Sequence, residues 1–126
     1  EPFEIPMQGM GMLSFEKSAW KGINQNFIGF GAEEGYISEK FKQWGGKNIC
    51  LPNMKWNHRF GRPDGVKFRL NLEDRVWNYY VGWLELYGNK EHEKIKQITE
   101  HFKPKLPDGR IEMILDKVLK NEKGWQ

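Results

Sequence analysis

The sequence predicts an α/β fold in which short strands and one helix come first and a helical region follows. Three observations lead to this prediction. The 126 residues are 38% hydrophobic and include 8 Phe, 6 Trp and 4 Tyr, which is enough for the core of one domain. Before residue 66, short apolar runs alternate with turns rich in Gly and Pro. After residue 71, apolar residues recur at helical spacing.

The first elements are predicted from the glycines and the apolar spacing. Residues 5–14 alternate between larger and small side chains, which suits a strand whose glycines let another backbone approach. Ser14 is predicted to cap a short helix through Phe15 to Trp20. A longer helix is expected over Glu33 to Trp44, since Gly45-Gly46 ends its apolar pattern.

Two more strands are expected next, over residues 47–51 and 54–60, joined through Pro52-Asn53. Residues 61–65 then have the composition of a turn. We therefore place residues 1–66 in one unit and residues 67–126 in a helical extension.

Three helices are predicted in the extension. Asn71 is a good N-cap for the first, which ends at Gly88-Asn89, and its aromatic stripe is interpreted as core rather than as a ligand surface. Gly124 is taken as the end of the third. The apolar positions that define the three helices are Leu72, Val76, Tyr79, Tyr80, Trp83, Leu84 and Tyr87, then Ile95, Ile98 and Phe102, then Ile111, Ile114, Leu115, Val118 and Leu119.

Composition excludes several classes of protein. The single cysteine, Cys50, cannot form an internal disulfide or a cysteine-based zinc site, and it is consistent with a reducing compartment, so a cytoplasmic location is favoured. No run of 18 apolar residues is present, so no membrane span is expected. The first residues, Glu1–Glu4, lack an initiator Met and a signal-peptide pattern, and we interpret them as an internal point of a longer polypeptide.

The net charge of +3 is unevenly distributed along the chain. Residues 35–70 carry 8 basic and 2 acidic side chains, whereas residues 71–126 carry 10 of each. The basic residues therefore surround His58, where they could attract a phosphate-bearing ligand. A solvated basic loop is the simpler interpretation of charge alone.

Two adjacent carboxylates provide the strongest candidate for chemistry. Glu33 and Glu34 follow a segment of aromatic and small residues, Phe27–Gly31, and open a predicted helix. Small residues let the backbone come close to a ligand, aromatic faces suit an apolar ring surface, and a carboxylate can accept a proton. The alternative is a solvated first helical turn, where acids favour the helix dipole.

Four segments carry a further pattern, and they are Gln8–Ser14, Trp20, Asn26–Glu34 and Trp56–Arg59. In this order they resemble the C-terminal half of the catalytic domain of GT-A-type glycosyltransferases. The similarity is greatest to the β-1,4-galactosyltransferases and the family 2 group, including the polypeptide N-acetylgalactosaminyltransferases. It covers residues 7–62.

The resemblance implies a role for each matching acceptor-side position. Glu34 matches the catalytic base, and Glu33 matches the acid that contacts the acceptor sugar. Phe30 stands where the family usually has Trp at the floor of the acceptor pocket, and Gly31 follows it as a close-approach position. His58 matches the histidine that completes a divalent metal site, for Mn²⁺ or Mg²⁺.

The donor side is expected to involve glycines and arginines. Gly9 and Gly11 could allow close approach of the donor sugar, or belong to a strand packed under a helix. Arg59 and Arg62 could reach the diphosphate of a nucleotide-sugar donor, or lie on a loop. The implied reaction transfers a sugar to a hydroxyl acceptor, with inversion.

The sequence departs from the family pattern in three ways. Ala32 replaces a glycine, Gly35 stands at the third acid, and no Asp-X-Asp pair for metal and nucleotide occurs. The nucleotide-binding half is therefore expected upstream in the same polypeptide or in a partner chain, and little activity is expected from the 126 residues alone. The competing hypothesis is a basic, aromatic binding module for glycan or nucleic acid, with Trp56 and Phe60 stacking next to Arg59 and Arg62. Nucleic acid is the less favoured partner, because no RNA-binding or helix-turn-helix signature is present.

Overall fold

The computed structural model describes residues 1–122, and the chain is mostly helical with one small sheet. The helices are α1 (Glu33–Gln43), α2 (Leu72–Tyr87), α3 (Glu93–Phe102) and α4 (Arg110–Leu119), and the strands are β1 (Phe3–Glu4) and β2 (Ile49–Cys50). Short 3-10 helices occupy Lys17–Ala19 and Lys103–Lys105. The fold is α/β in this loose sense.

Helix α2 is the centre of the core, and α1, α3 and α4 all pack against it. Its buried side chains meet those of α3 and α4 because the predicted apolar stripes face one another. The cluster consists of Val76, Trp77, Tyr80, Val81, Ile95, Ile98, Phe102, Ile111 and Ile114.

The predicted ends of α2 are confirmed. The Asn71 side chain accepts a hydrogen bond from the Asp74 amide at 2.7 Å, and Gly88 closes the helix with φ of 68°. The prediction that the last helix ends near Gly124 is wrong, although Gly124 itself lies outside the described residues. Helix α4 ends at Leu119, and Asn121 beyond it adopts φ of 54°. The amides of Asn121 and Glu122 donate to the carbonyls of Val118 and Lys117, which is a Schellman arrangement.

Helix α1 begins and ends close to the predicted residues, with Tyr36 and Ile37 buried. It is joined to α2 by Glu85, which accepts hydrogen bonds from the Tyr36 hydroxyl and, at 3.2 Å, from Lys40 Nζ. Burial, reinforced by the Glu85 carboxylate, raises the pKa of the Tyr36 phenol. Trp44 was expected on the apolar face but is 67% exposed, because it caps the helix beyond the last turn that packs.

The strand predictions are mostly wrong. Only two residues of the 47–51 run form β2, which pairs antiparallel with Phe3–Glu4, upstream of the predicted first strand. Residues 5–14 are irregular, and residues 54–60 are neither helix nor strand. The apolar spacing of these runs is real, but among residues 1–122 only β1 and β2 pair, and the runs at 5–14 and 54–60 join neither of them.

The short helix predicted through Phe15 to Trp20 is reduced to the 3-10 turn at Lys17–Ala19, and its cap residue is Glu16 instead of Ser14. Two rings of this region stack, with the centroids of Phe15 and Trp20 4.8 Å apart. The aromatic residues are therefore used for local packing against α1, where Phe41 lies 5.6 Å from Phe15.

Candidate functional site

The loop before α1, residues 26–32, is held in place by hydrogen bonds to side chains of α2. Asn78, which is 1% exposed, accepts a hydrogen bond from the Ile28 amide at 2.8 Å and donates to the carbonyls of Ile28 at 2.7 Å and Gly31 at 3.0 Å. The Trp77 indole donates to the Asn26 carbonyl at 2.8 Å. A loop without secondary structure of its own thus has its backbone groups satisfied by side chains.

The glycines of this loop meet the other end of α2. Gly29 has φ of 54°, and a Cβ there would lie 2.5 Å from Asp74 Oδ2. Asp74 is 1% exposed and is bound by Arg69, whose Nε donates to Oδ2 at 2.8 Å. The hydrogen bond to Asp74 raises the pKa of the Arg69 guanidinium, so the guanidinium stays charged beneath the loop.

Ala32 ends the loop in a conformation that costs free energy. Its φ of 73° lies in the left-handed region, where a Cβ residue is disfavoured by about 1–2 kcal/mol. Glycine adopts this conformation without that cost, so alanine is the less suited residue at this position. Strain of this kind is concentrated at functional sites and persists only where the surroundings determine the backbone.

The two acids open α1 at the edge of a cleft of about 200 Å³. All four predicted acceptor-side and catalytic residues line this cleft together. Arg75 and Tyr79, one turn apart on α2, form its opposite wall, and Met7 closes one side. These four predicted residues are Phe30, Gly31, Glu33 and Glu34.

Glu34 also contacts the glycine segment that precedes it in the chain. Its Oε1 accepts a hydrogen bond from the Met10 amide at 3.1 Å, and a Cβ on Gly9 would lie 3.7 Å from the same oxygen. On the other side of this segment, Gly11 lies directly against the Trp56 indole, with no room for a Cβ. The backbone at Gly9–Gly11 therefore passes between Glu34 and Trp56, and its close approach to the Trp56 indole requires glycine at residue 11.

His58 belongs to an exposed group of neighbouring rings that are tilted relative to one another. Its imidazole lies between Trp56, at a centroid distance of 5.4 Å, and Phe60, at 4.0 Å. Within residues 1–122, no three His, Cys, Asp or Glu side chains come together as a metal site. A single imidazole does not make a site for Mn²⁺ or Mg²⁺, so the residues present do not by themselves fit the predicted metal.

The two candidate donor arginines have different surroundings. Arg62 lies over the Phe68 ring at 5.7 Å, and Phe68 stacks on Phe30 at 5.4 Å, so Arg62 is connected to the rim of the acidic cleft. Arg59 is exposed and has no hydrogen bond or ion pair to the described part of the chain.

Sequence reasoning missed Arg75, Tyr79 and Asn78 as parts of this region. Tyr79 was assigned to the core stripe, and it does contact Phe102 and Trp83, but it also faces the cleft. The available signal was Asn78, an amide in the middle of an apolar helix face, because a buried amide indicates a hydrogen-bonded backbone next to it.

No helix among residues 1–122 has the length and apolar character needed to cross a membrane, in agreement with the prediction. Comparisons with known protein families, with curated proteins and with solved structures found no match.

Proposed function

We propose that this chain is the acceptor-binding part of a GT-A-type glycosyltransferase, which transfers a sugar from a nucleotide-sugar donor to a hydroxyl acceptor. The observation that carries the proposal is the meeting of separate motif segments. The acids, Phe30 and Gly31 share one cleft, and the glycine segment lies against Glu34 on one side and against Trp56 on the other.

The cleft has the groups that an acceptor sugar requires. Phe30 and Tyr79 offer ring faces to the apolar side of a sugar, while Glu33 and Arg75 offer an acceptor and donors of hydrogen bonds. An acceptor hydroxyl is a poor nucleophile until a base takes its proton in the transition state. Glu34, exposed at the cleft edge, is assigned that role, and Glu33 orients the hydroxyl.

The donor side of the reaction is assigned to groups that this chain does not complete. Because residues 1–122 do not form a metal site, the nucleoside diphosphate and any divalent metal bound with it would be held by the upstream half or by a partner chain, and His58 would add one ligand at most. Arg59 and Arg62 would add positive charge next to the phosphates.

The test is a transferase assay on the polypeptide that contains the nucleotide-binding half, with donor turnover and donor binding measured separately. Glu34→Gln should lower kcat at least about a hundredfold, the range of a general base, while the Kd for the donor stays unchanged. Glu100→Gln, an exposed acid on α3 that lies away from the cleft, is the matched control and should retain full activity. Full activity of Glu34→Gln would refute the assignment of the base, and absence of transfer by the unaltered protein would refute the function.

A second candidate is a binding module for an anionic polymer, and one observation favours it. Trp56, His58 and Phe60 form an exposed row of rings beside Arg59, and Phe60 is 82% exposed. Such a row could stack against bases next to phosphates. Binding of single-stranded nucleic acid that weakens steeply with salt, together with no response to any nucleotide sugar, would favour this function over the transferase.

A further inference from the structure

A second cleft adjoins the acidic one. It measures about 390 Å³ and is lined by Phe30, Leu70, Asn71, Leu72 and Arg75. Phe30 and Arg75 line both clefts, so they form the boundary between them. The two cavities are therefore neighbouring parts of one surface, and a molecule that crossed this boundary would contact both.

The two clefts differ in chemistry. The first has two carboxylates at the start of α1, whereas the second has no carboxylate among its lining residues and presents apolar walls from Leu70, Leu72 and Phe30. Leu70 is 57% exposed, although it precedes a well-packed helix. Its neighbour Asn71 caps α2 with its side-chain oxygen Oδ1, which leaves the side-chain NH2 group to donate hydrogen bonds to a ligand.

Arg75 is placed to serve both clefts. Its side chain runs along Gly31, where a Cβ would lie 2.8 Å from Arg75 Cγ, so the arginine stem is fixed against the loop. Its guanidinium forms no ion pair or hydrogen bond with any residue between 1 and 122, although two acids share its cleft. A guanidinium left without a protein partner at such a boundary is a donor for ligand oxygens.

The sizes indicate how much of a ligand each part accepts. The acidic cleft, at about 200 Å³, is smaller than the roughly 300–1,000 Å³ typical of drug-sized ligands, so it suits one sugar ring. A second sugar ring has an apolar face for the leucines and hydroxyls for Asn71 and Arg75, which matches the mixed character of the second cleft.

We propose that the acceptor is a glycan of at least two sugar units. Its terminal ring occupies the acidic cleft, and its penultimate ring occupies the cleft of Leu70, Leu72 and Asn71, with Arg75 bonded to oxygens near the linkage. This inference rests on the proposed function, because it takes the acidic cleft as the site of the reacting hydroxyl.

The test measures binding of matched methyl monosaccharides and methyl disaccharides of the common hexoses to the full chain by titration. For the sugar that binds, the disaccharide should bind about tenfold more tightly than its terminal monosaccharide, because a second ring is removed from water. Leu70→Asp should abolish this difference while leaving monosaccharide binding unchanged. Leu119→Asp, an exposed leucine at the end of α4, is the matched control and should preserve it.

Each outcome decides a different point. Equal affinity for monosaccharide and disaccharide in the unaltered chain would overturn the second subsite and leave the proposed function standing. A disaccharide preference that survives Leu70→Asp would overturn its location. If neither class of sugar binds, both proposals fail. Leu70→Ala, which adds no charge, should give an intermediate preference and guards against a folding defect in the aspartate variant.

Discussion

The loop over residues 26–32 and the segment over residues 51–70 both carry residues predicted to act, but they are supported in opposite ways. The loop is irregular yet fixed, because Asn78 and Trp77 bind its backbone from α2. Every residue of the segment is exposed, and it has no helix or strand. Its rings at Trp56, His58 and Phe60 contact one another.

The difference is in how well the rest of the chain fixes the positions of the two sets of candidate residues. A binding or catalytic group is effective when the surrounding structure fixes its position, as it does for Glu33 and Glu34 at the end of the held loop. The segment instead exposes cations, among them Lys55 and Arg59, without ion pairs to any residue described here. Its rings and charges are suited to contact with another domain or chain, which the proposal identifies as the donor half with its nucleotide.

The largest effect is expected from removing the amide that holds the loop. Asn78→Ala leaves three backbone groups of Ile28 and Gly31 without partners, and each buried unsatisfied group costs about 1–3 kcal/mol. We expect the free energy of unfolding to fall by roughly 3–5 kcal/mol, measured by chemical denaturation. Asn57→Ala, in the exposed segment, should change it by less than about 0.5 kcal/mol. Equal effects at the two positions would break the comparison.

A smaller effect on the free energy of unfolding is expected from alanine substitutions at two glycines of positive φ, and it should distinguish backbone strain from overpacking. Gly29→Ala forces a Cβ against Asp74, whereas Gly65→Ala, with φ of 69°, meets nothing within 4 Å. Both alanines pay a backbone cost of about 1–2 kcal/mol, and overpacking adds about 1–3 kcal/mol at residue 29 alone. The difference in unfolding free energy between the two variants therefore measures how tightly the loop packs against Asp74 on α2. No difference would mean that the loop moves freely away from α2.

The smallest effect concerns pH. Burial opposes ionisation of Glu85, but hydrogen bonds from Tyr36 and Lys40 outweigh it and lower the pKa of this carboxyl. Because the folded pKa lies below the unfolded value of about 4.3, the stabilisation is present above that pH and is lost as the pH falls through the folded pKa. Glu85→Gln should cost less than about 1 kcal/mol at neutral pH, and the difference from the unaltered chain should vanish in acid.

The control for this experiment is Glu100→Gln, whose side chain is exposed on α3. Denaturation curves at neutral and acidic pH should be the same for this variant and for the unaltered chain. A loss for Glu85→Gln that persists below the folded pKa would show that the carboxylate charge is not what joins α1 to α2.

The helices could be predicted because their signals are local. The Asn71 cap, the closing Gly88 and the apolar spacing of α2 each lie within one stretch of sequence, and all three are found in the structure. The strands could not, since a run such as residues 54–60 becomes a strand only when a distant edge is available to pair with it. The end of α4 was missed because Asn121 adopts a conformation that glycine usually adopts.

The candidate site could be predicted in part for the same reason. Phe30, Gly31, Glu33 and Glu34 are neighbours in sequence, so their sharing a cleft follows from one loop and one helix start. Arg75 and Tyr79 lie far from the acids in the sequence, and burial in the core explains their helical spacing equally well. Only the tertiary packing of α2 against the loop brings them to the acids.

The most direct measurement is amide NMR of the nitrogen-labelled chain during titration with lactose, cellobiose and maltose in turn. The proposal predicts that at least one disaccharide shifts the amide signals of Gly31, Glu33, Glu34, Arg75 and Tyr79, and leaves those of residues 54–60 unchanged. Shifts confined to residues 54–60, or no response to any of the three sugars, would contradict the assignment of the acidic cleft as an acceptor site.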